Sequence, residues 1–276
     1  MACAVDYTKK SIFVITGASK GIGREISTML AKNVNKNSVF ILLARSTEGL
    51  EETKTQIGKI DNGLKVLTYV TDLSKPNFKF YNDLFDGVLK TIDSTGTEYG
   101  YIFHNAASNG PLKEIAGLSD LQIWRDFYEF NLFSTVLLNN AFLHKISPVT
   151  QKTVVINISS GCGIVPYENF SLYGSSKAAR QLFFKILAIE QPNLTVLSYC
   201  PGAVKTEMFN SACDNAESKK VREVFQEMRK TKMITTEQTV GKLLEVLKKG
   251  DFKSGDVIDY HNLYTSLNNI KTLMDT

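Results

Sequence analysis

The chain has 276 residues, of which 43% are hydrophobic and 22% charged, so it can bury a sizeable core and has the composition of a globular enzyme. Its formal net charge of +4 is small and its basic residues are scattered, which argues against nucleic acid or a membrane surface as the main partner. The four cysteines form no CxxC pair, only three histidines are present and no apolar run reaches transmembrane length, so we expect a cytoplasmic protein with free thiols and no metal site.

The first predicted strand runs directly into a glycine-rich turn. Ser11–Thr16 is a short apolar run rich in β-branched residues, and a glycine turn then precedes a helical pattern that extends to about Asn33. A strand, a glycine turn and a helix in this order are typical of a dinucleotide site, because the backbone can approach phosphate oxygens and the helix N-terminus offers free N–H groups. A turn without a ligand is the alternative. The predicted cofactor contacts here are Gly17, Ser19, Lys20, Gly21, Ile22 and Gly23.

The second predicted strand, Val39–Ala44, ends at Arg45 and contains no acidic residue. In NAD sites an acid near this strand end binds the ribose 2′-hydroxyl. A guanidinium suits a 2′-phosphate instead, so Arg45, with Ala44 beside it and Lys20 in the glycine turn, predicts NADPH rather than NADH. The alternative is that Arg45 is a solvated loop arginine.

Two further predicted strands, 64–70 and 99–104, follow polar helical patterns at 48–60 and 77–94. Asp72 and Leu73 come after the first of these strands and are candidates for contact with an adenine, although a plain turn explains them equally well. Asn105 ends the second strand. The small residues Ala106 and Ala107 follow it and let the backbone lie close to a flat cofactor ring.

A long helical pattern over 119–146 carries the only tryptophan, Trp124, and a polar amide, Asn131, within an aromatic run. A buried amide needs a hydrogen-bond partner. We therefore expect Asn131 either to kink the helix or to hold a water near an active-site lysine. Trp124 is interpreted as part of the core or of a subunit interface.

The stretch around Tyr173 carries the strongest chemical signal. A fifth predicted strand, 153–158, ends at two serines, and a helix over 171–190 follows. Tyr173 and Lys177 are one turn apart on that helix and share a face. An ammonium beside a phenol lowers the phenol's pKa, and a shift from about 10 to about 7 takes roughly 4 kcal/mol. This pair therefore predicts a proton donor for a carbonyl oxygen.

The remaining chain continues the alternation of strands and helices. A sixth strand over 194–199 precedes a polar segment with helical patches, and we expect about 207–235 to form a substrate lid. A helix over 236–249 and a short strand over 257–260 follow, and the tail after Asn262 has weak periodicity. The alternation, without a linker or repeat, predicts one α/β domain over 1–276, with a doubly wound parallel sheet covered by helices on both faces.

Together, the glycine turn, the Asn105-Ala-Ala strand end, the serine pair and the Tyr173–Lys177 pair resemble the short-chain dehydrogenase/reductase family over almost the whole chain. The resemblance implies a Rossmann-type fold, a homodimer and reduction of carbonyl groups by NADPH. The thirteen-residue gap to Tyr173 matches Ser160, rather than Ser159, to the family's catalytic serine, and Asn131 matches its fourth catalytic position. The cofactor contacts implied after the sixth strand are Pro201, Gly202, Val204, Thr206 and Met208.

Within the family, the chain is most similar to the branch that reduces side-chain carbonyls of sepiapterin and related pterins, the final step of tetrahydrobiopterin synthesis. The segments that carry this similarity are 153–160, 172–180, 187–193 and 251–259. The similarity implies that Asp259 anchors the pterin's guanidine-like edge and that Ser160, Tyr173 and Gly202 contact the substrate. The chain departs from the family's usual strand end at His104 and Ala107.

Two other functions are open at this point. The chain could be a carbonyl or α-diketone reductase of broad specificity, because pocket residues are poorly read from sequence. It could also be a non-catalytic NADPH-binding regulatory protein, and the intact Ser160, Tyr173 and Lys177 argue against this reading. NADPH oxidation with sepiapterin and with a simple diketone separates the three.

Overall fold

The computed structural model describes residues 4–261. Within this range seven strands form one sheet in the order β3-β2-β1-β4-β5-β6-β7, and every neighbouring pair is parallel. The strands are β1 (Ser11–Thr16), β2 (Val39–Ala44), β3 (Lys65–Val70), β4 (Tyr99–His104), β5 (Lys152–Ile158), β6 (Thr195–Cys200) and β7 (Val257–Asp259). Parallel neighbours need crossover connections, and helices supply them here. The predicted α/β fold with a parallel sheet is confirmed.

Nine α-helices occur in the described part of the chain, most of them packed on the two faces of the sheet. They are α1 (Gly21–Ala31), α2 (Thr47–Ile60), α3 (Phe78–Thr91), α4 (Leu121–Tyr128), α5 (Ser134–Lys145), α6 (Ser171–Glu190), α7 (Glu207–Asn215), α8 (Lys219–Thr231) and α9 (Thr236–Lys249). None of the helices within residues 4–261 is both long enough and apolar enough to span a membrane. The predicted bounds of β1, β2, β4, α6 and α9 agree with the structure.

The helical pattern predicted over 119–146 is interrupted around Asn131, where a kink is one of the two expectations. A π-helical turn, Glu129–Phe133, separates α4 from α5, and the N–H of Ser134 bonds to the carbonyl of Glu129 five residues earlier. Such a turn inserts one extra residue into an α-helix and is frequent at functional sites. The extra residue changes which side chains face the sheet, and Asn131 lies within this turn.

The centre of the sheet is buried on both faces, which explains the continuous apolar runs in the sequence. Every residue of β1, β2 and β4 is buried. The ring of Phe13 stacks on Phe40 and on Tyr101, with ring centroids 5.1 and 4.7 Å apart. Because all the strands are parallel, their carboxyl ends lie at one edge of the sheet, where α/β proteins bind ligands.

Helices α7 and α8 form most of the segment predicted as a lid. They pack onto the start of α6 through a hydrophobic cluster in which Ala212, Cys213 and Phe225 join Phe170 and Tyr173. The rings of Phe170 and Phe225 stack with centroids 5.2 Å apart. The segment therefore covers the region of Tyr173, and its movement as a lid stays a prediction.

The described cysteines, Cys162, Cys200 and Cys213, all carry free thiols. Cys3 and the tail after Asn262, whose sequence has weak periodicity, lie outside the described residues.

Candidate active site

The glycine turn between β1 and α1 brings the backbone of α1 close to the backbone at the end of β1. Gly17 and Gly21 have φ of +66° and +55°, a region that favours glycine. A Cβ atom on Gly23 would lie 2.3 Å from the carbonyl oxygen of Gly17, so only glycine allows α1 to approach the strand this closely. Lys20, at the N-cap of α1, makes no capping hydrogen bond through its side chain. Uncapped N–H groups at a helix start form an anion site.

This turn forms one wall of a groove of about 740 Å³ at the carboxyl edge of the sheet. Most of the predicted cofactor contacts line this groove, together with Ala107 and Ser159. The lining residues that the sequence predicted are Gly17, Ser19, Lys20, Gly21, Ile22, Ala44, Arg45, Leu73, Asn105, Tyr173, Lys177, Pro201, Thr206 and Met208. Residues contributed by separate strands therefore form one continuous groove, and their contact with a cofactor stays a prediction.

Four predicted cofactor contacts lie outside this lining: Gly23, Asp72, Gly202 and Val204. Gly23 packs under the turn, as its contact with Gly17 shows. The carboxylate of Asp72 accepts hydrogen bonds from the backbone and hydroxyl of Ser74, which hold the carboxyl's pKa below its usual value. Val204 forms a bridge to Ile234. These positions shape the loops around the groove.

Among the residues that the structure describes, three exposed cations line the groove: Lys20, Arg45 and Lys205. The exposed guanidinium of Arg45 lies over the ring of Phe130, 5.8 Å from its centroid. The ammonium of Lys20 forms an ion pair with Glu207 at the start of α7. Lys20 thus links the glycine turn to the predicted lid.

The end of β4 is held rigidly beside the glycine turn. The side-chain amide of Asn105 donates to the carbonyl of Thr16 at 2.9 Å, and the hydroxyl of Thr16 accepts from the backbone of Asn105 at the same distance. His104, a departure from the family pattern, is buried, and its Nε2 lies 3.3 Å from Oδ1 of Asn139 on α5. Burial and the charge of Arg180 lower the pKa of His104 to about 3, so this ring is neutral at physiological pH.

Tyr173 and Lys177 lie one turn apart on the buried face of α6. Lys177 is 2% exposed, and its Nζ donates to the carbonyl of Ile158 at 2.8 Å. The same Nζ is 5.4 Å from the centroid of the Tyr173 ring. The end of β5 therefore fixes the ammonium beside the phenol.

The two serines after β5 have different surroundings. The side chain of Ser160 hydrogen-bonds to Tyr173, and its Oγ accepts from the backbone of Cys162 at 3.2 Å. The hydroxyl of Ser159 instead accepts from Nε2 of Gln181 at 2.7 Å. Ser160 is thus the serine that reaches the phenol, as its spacing suggested.

Burial has the largest effect on the pKa values of both Tyr173 and Lys177. It raises the pKa of Tyr173, against the lowering by the hydrogen bond from Ser160 and by the charge of Arg180. Burial, followed by the charge of Arg180, lowers the pKa of Lys177 well below its usual value. The predicted lowering of the phenol's pKa by Lys177 stays a prediction.

Asn131 is fully buried and connects the π-helical turn to the loop after β4. Its Oδ1 accepts from the backbone N–H of Ser108 at 2.9 Å, and its Nδ2 donates to the carbonyl of Phe127 at 3.2 Å. The side chain thus fixes a loop that lines the groove. The role of Asn131 in holding a water stays a prediction.

Arg180 is the main site residue that sequence reasoning missed. Its side chain is fully buried, and its guanidinium donates to the side chain of Asn157 and to the backbone carbonyls of His104, Ala106 and Asn131. An arginine on a helix is usually a surface residue, which is why it drew no attention. The available signal was its position seven residues after Tyr173, on the same helix face.

Asp259 lies at the carboxyl end of β7, paired in register with Cys200 of β6. The carboxylate is 3% exposed, and its Oδ1 accepts from the backbone N–H of His261 at 2.7 Å. Asp259 is not among the residues that line the groove.

Comparison with known proteins agrees with this geometry. The family model described as short chain dehydrogenase matches residues 11–217. Sepiapterin reductase of Bos taurus is 32% identical over 92% of this chain and 95% of its own length. Benzil reductase ((S)-benzoin forming) of Bacillus subtilis strain 168 is 29% identical over 90% of this chain and 97% of its own.

Solved structures share the fold over nearly the whole chain. The KRED1-Pglu enzyme superposes with a TM-score of 0.76 and 27% identity, covering 90% of this chain and 100% of that one. A short chain dehydrogenase from Shigella flexneri 2a str. 301, solved with NADP, has a TM-score of 0.75 and 23% identity, covering 93% and 99%. The family match, the sheet order and the Ser160, Tyr173 and Lys177 geometry lead to one conclusion. The chain belongs to the short-chain dehydrogenase/reductase family of oxidoreductases.

Proposed function

We propose that the protein is an NADPH-dependent carbonyl reductase whose preferred substrates carry a carbonyl group on a pterin side chain, as sepiapterin and 6-pyruvoyl-tetrahydropterin do. On this proposal it acts in the final step of tetrahydrobiopterin synthesis. The observation that carries the reductase activity is the placement of Tyr173 and Lys177 one turn apart at the groove, with Nζ of Lys177 5.4 Å from the centroid of the phenol ring. The pterin preference is supported by the sepiapterin reductase relatives and by Asp259.

The side chains divide the reaction between them. When bound, the reduced nicotinamide supplies the hydride for the carbonyl carbon. Tyr173 donates its proton to the carbonyl oxygen, and Ser160 hydrogen-bonds to the same oxygen. Lys177, fixed by the carbonyl of Ile158, would hold the cofactor's ribose. The hydrophobic cluster beneath α7 and α8 excludes water, which strengthens these electrostatic interactions.

Replacing Tyr173 by phenylalanine tests the proton donor. We expect Tyr173→Phe to keep cofactor binding, measured by fluorescence quenching, and to reduce turnover by roughly a hundredfold to ten-thousandfold, the usual contribution of a general acid. The matched control is Tyr81→Phe, which removes another buried phenol hydroxyl, one without a hydrogen-bond partner among the described residues. Near-normal turnover by Tyr173→Phe excludes Tyr173 as the acid.

NADPH is the proposed cofactor because the end of β2 offers a cation and no carboxylate. Arg45 is exposed at the groove mouth and can meet a 2′-phosphate without the cost of desolvation. The uncapped start of α1 and the close packing of Gly17 and Gly23 suit the pyrophosphate.

Replacing Arg45 by alanine tests this preference. A charge-assisted hydrogen bond contributes about 1.5–3 kcal/mol, so Arg45→Ala should raise the Kd for NADPH roughly tenfold to a hundredfold and leave that for NADH almost unchanged. Titration of cofactor fluorescence measures both. Lys54→Ala, which removes an exposed cation on α2 outside the groove, serves as the control. Tighter binding of NADH than NADPH by the unmodified protein contradicts the proposal.

Asp259 is the proposed pterin anchor. A carboxylate accepts two parallel hydrogen bonds from a guanidine-like edge, and such charge-assisted pairs are strong where water is excluded. Asp259 is 3% exposed, so a pair formed there is almost fully desolvated. Its Cα pairs in register with Cys200, directly before Pro201 at the groove.

The test compares a pterin with a simple diketone. Asp259→Asn should raise the KM for sepiapterin by roughly tenfold or more while changing the KM for benzil little, because benzil lacks the guanidine-like edge. Asp256→Asn is the control, since Asp256 also accepts a backbone N–H, that of Lys253, but precedes β7. Equal effects on the two substrates remove Asp259 from pterin recognition.

A carbonyl or α-diketone reductase of broad specificity is the second candidate function. It is favoured by the Bacillus subtilis benzil reductase, which matches nearly the same span of the chain, and by the absence of Asp259 from the groove lining. Unmodified protein that reduces benzil with a higher kcat/KM than sepiapterin supports this function over the pterin reductase. NADPH binding without reduction of either substrate supports the regulatory reading.

We also propose that the protein is a cytoplasmic homodimer that pairs through the outer face of α6. Leu182, Ile186 and Ile189 are 60%, 44% and 79% exposed, and their spacing places them on one stripe of the helix. Phe133, 48% exposed in the π-helical turn, extends the apolar surface. A second copy related by a two-fold axis offers the same stripe in return. The free thiols of the described cysteines support the reducing cytosol.

A charge in the stripe tests the dimer. Ile186→Lys should convert a dimer into a monomer, because an unpaired ammonium is costly in the centre of an apolar interface. Light scattering coupled to gel filtration measures the mass. Val224→Lys on α8 is the control, because Val224 is similarly exposed, 46% against 44%, and lies away from the stripe. A monomeric unmodified protein overturns the proposal.

A further inference from the structure

Arg180 is a fully buried cation next to the proposed acid. Its guanidinium donates from Nη2 to the carbonyl of His104 at 2.7 Å and from Nε to Oδ1 of Asn157 at 2.9 Å. Longer contacts from Nη1 reach the carbonyls of Asn131 and Ala106 at 3.3 and 3.4 Å. Four acceptors, from β4, the loop that follows it, β5 and the π-helical turn, thus hold the group in one orientation.

The acceptors around Arg180 are all neutral. Among residues 4–261 no carboxylate forms an ion pair with it. Burying a cation without a counter-charge is costly, and carbonyl dipoles offset only part of that cost. Burial lowers the pKa of Arg180 only to about 10, so it stays charged at neutral pH. The protein therefore keeps a fixed positive charge that the resting structure does not balance.

On the proposed function, the phenol of Tyr173 becomes negatively charged only during the reaction. Tyr173, Lys177 and Arg180 occupy positions i, i+4 and i+7 of α6 and so share its buried face. When the Tyr173 O–H bond breaks, the proton goes to the carbonyl oxygen and the phenol oxygen keeps the electron pair as a phenolate. The other titratable or charged groups that face the phenol are Lys177, Cys162 and Cys200, and the one facing Arg180 from β4 is His104.

We propose that Arg180 is a positioning residue for the reduction: held by the carbonyls of His104, Ala106 and Asn131, its permanent charge stabilises the phenolate that Tyr173 becomes. This inference rests on the proposed function, in which Tyr173 is the proton donor. It separates the roles of the two cations on α6. Lys177 lines the groove and would contact the cofactor. Arg180 does not line the groove, and its charge acts on the phenol of Tyr173.

The test removes the charge in two ways. Arg180→Met removes both the charge and the donors, and Arg180→Gln removes the charge but keeps an amide donor. Tyr7→Phe is the control for lost stability, because it deletes another buried hydrogen bond, to the carbonyl of Leu244, away from the active site. Thermal melting and circular dichroism establish that each variant is folded.

The pKa of Tyr173 is the readout that a purely structural role does not change. It is measured with NADP bound, from tyrosinate absorbance, as the difference between each protein and the same protein carrying Tyr173→Phe. The pH dependence of kcat/KM for benzil and sepiapterin reduction gives a second value. Loss of a nearby cation should raise both values by roughly one pH unit in Arg180→Gln and Arg180→Met, so the basic limb of the rate profile moves to higher pH.

The outcomes distinguish the two proposals. An upward shift in Arg180→Gln with an unchanged Tyr7→Phe profile supports the inference, even if Arg180→Met does not fold. A folded Arg180→Gln with the same tyrosinate titration and rate profile as the unmodified protein overturns it, whatever its melting temperature. Unmodified protein that titrates normally but reduces neither substrate instead overturns the proposed function.

Discussion

The structure depends on the buried face of one helix. Helix α6 carries a phenol, an ammonium and a guanidinium at successive turns, and packs all three against the carboxyl ends of β4 and β5. Two cations in an apolar interior are tolerated only if their N–H groups find acceptors. Backbone carbonyls at the strand ends and in the π-helical turn supply most of them. The position of α6, the strand ends and the π-helical turn are therefore fixed together.

The opposite wall of the groove follows a different principle. The glycines of the turn have no side chains, so the backbone of Gly23 lies in contact with the backbone of Gly17. The helix that begins there has no side-chain cap, whereas α2, α3, α7, α8 and α9 begin with one. The N–H groups that other helices satisfy internally are left for an anion. The wall formed by α6 thus supplies buried charges, and the wall formed by the glycine turn supplies backbone N–H dipoles.

Periodicity and motif spacing were sufficient for the fold and for most of the groove. Strands buried on both faces appear as continuous apolar runs, and α6 was predictable because its apolar period is unbroken. Asn131 within an aromatic run indicates a kink in the helical pattern over 119–146 but not its π-helical form, since Phe130 and Phe133 continue the apolar pattern across the turn. Arg180 was missed because burial of a cation depends on carbonyls contributed by distant segments. The surroundings of Asp259 depend on long-range packing for the same reason.

The hydrophobic cluster beneath α7 and α8 includes the ring of Tyr173. A displacement of those two helices that admitted a substrate would expose the phenol to water, and their return would bury it again. Since burial raises the pKa of Tyr173, the acidity of the phenol would then change with the position of α7 and α8. Access of a substrate to the site and the acidity of Tyr173 would thus change together. A substitution in α7 or α8, remote from any reacting atom, would then alter the proton transfer.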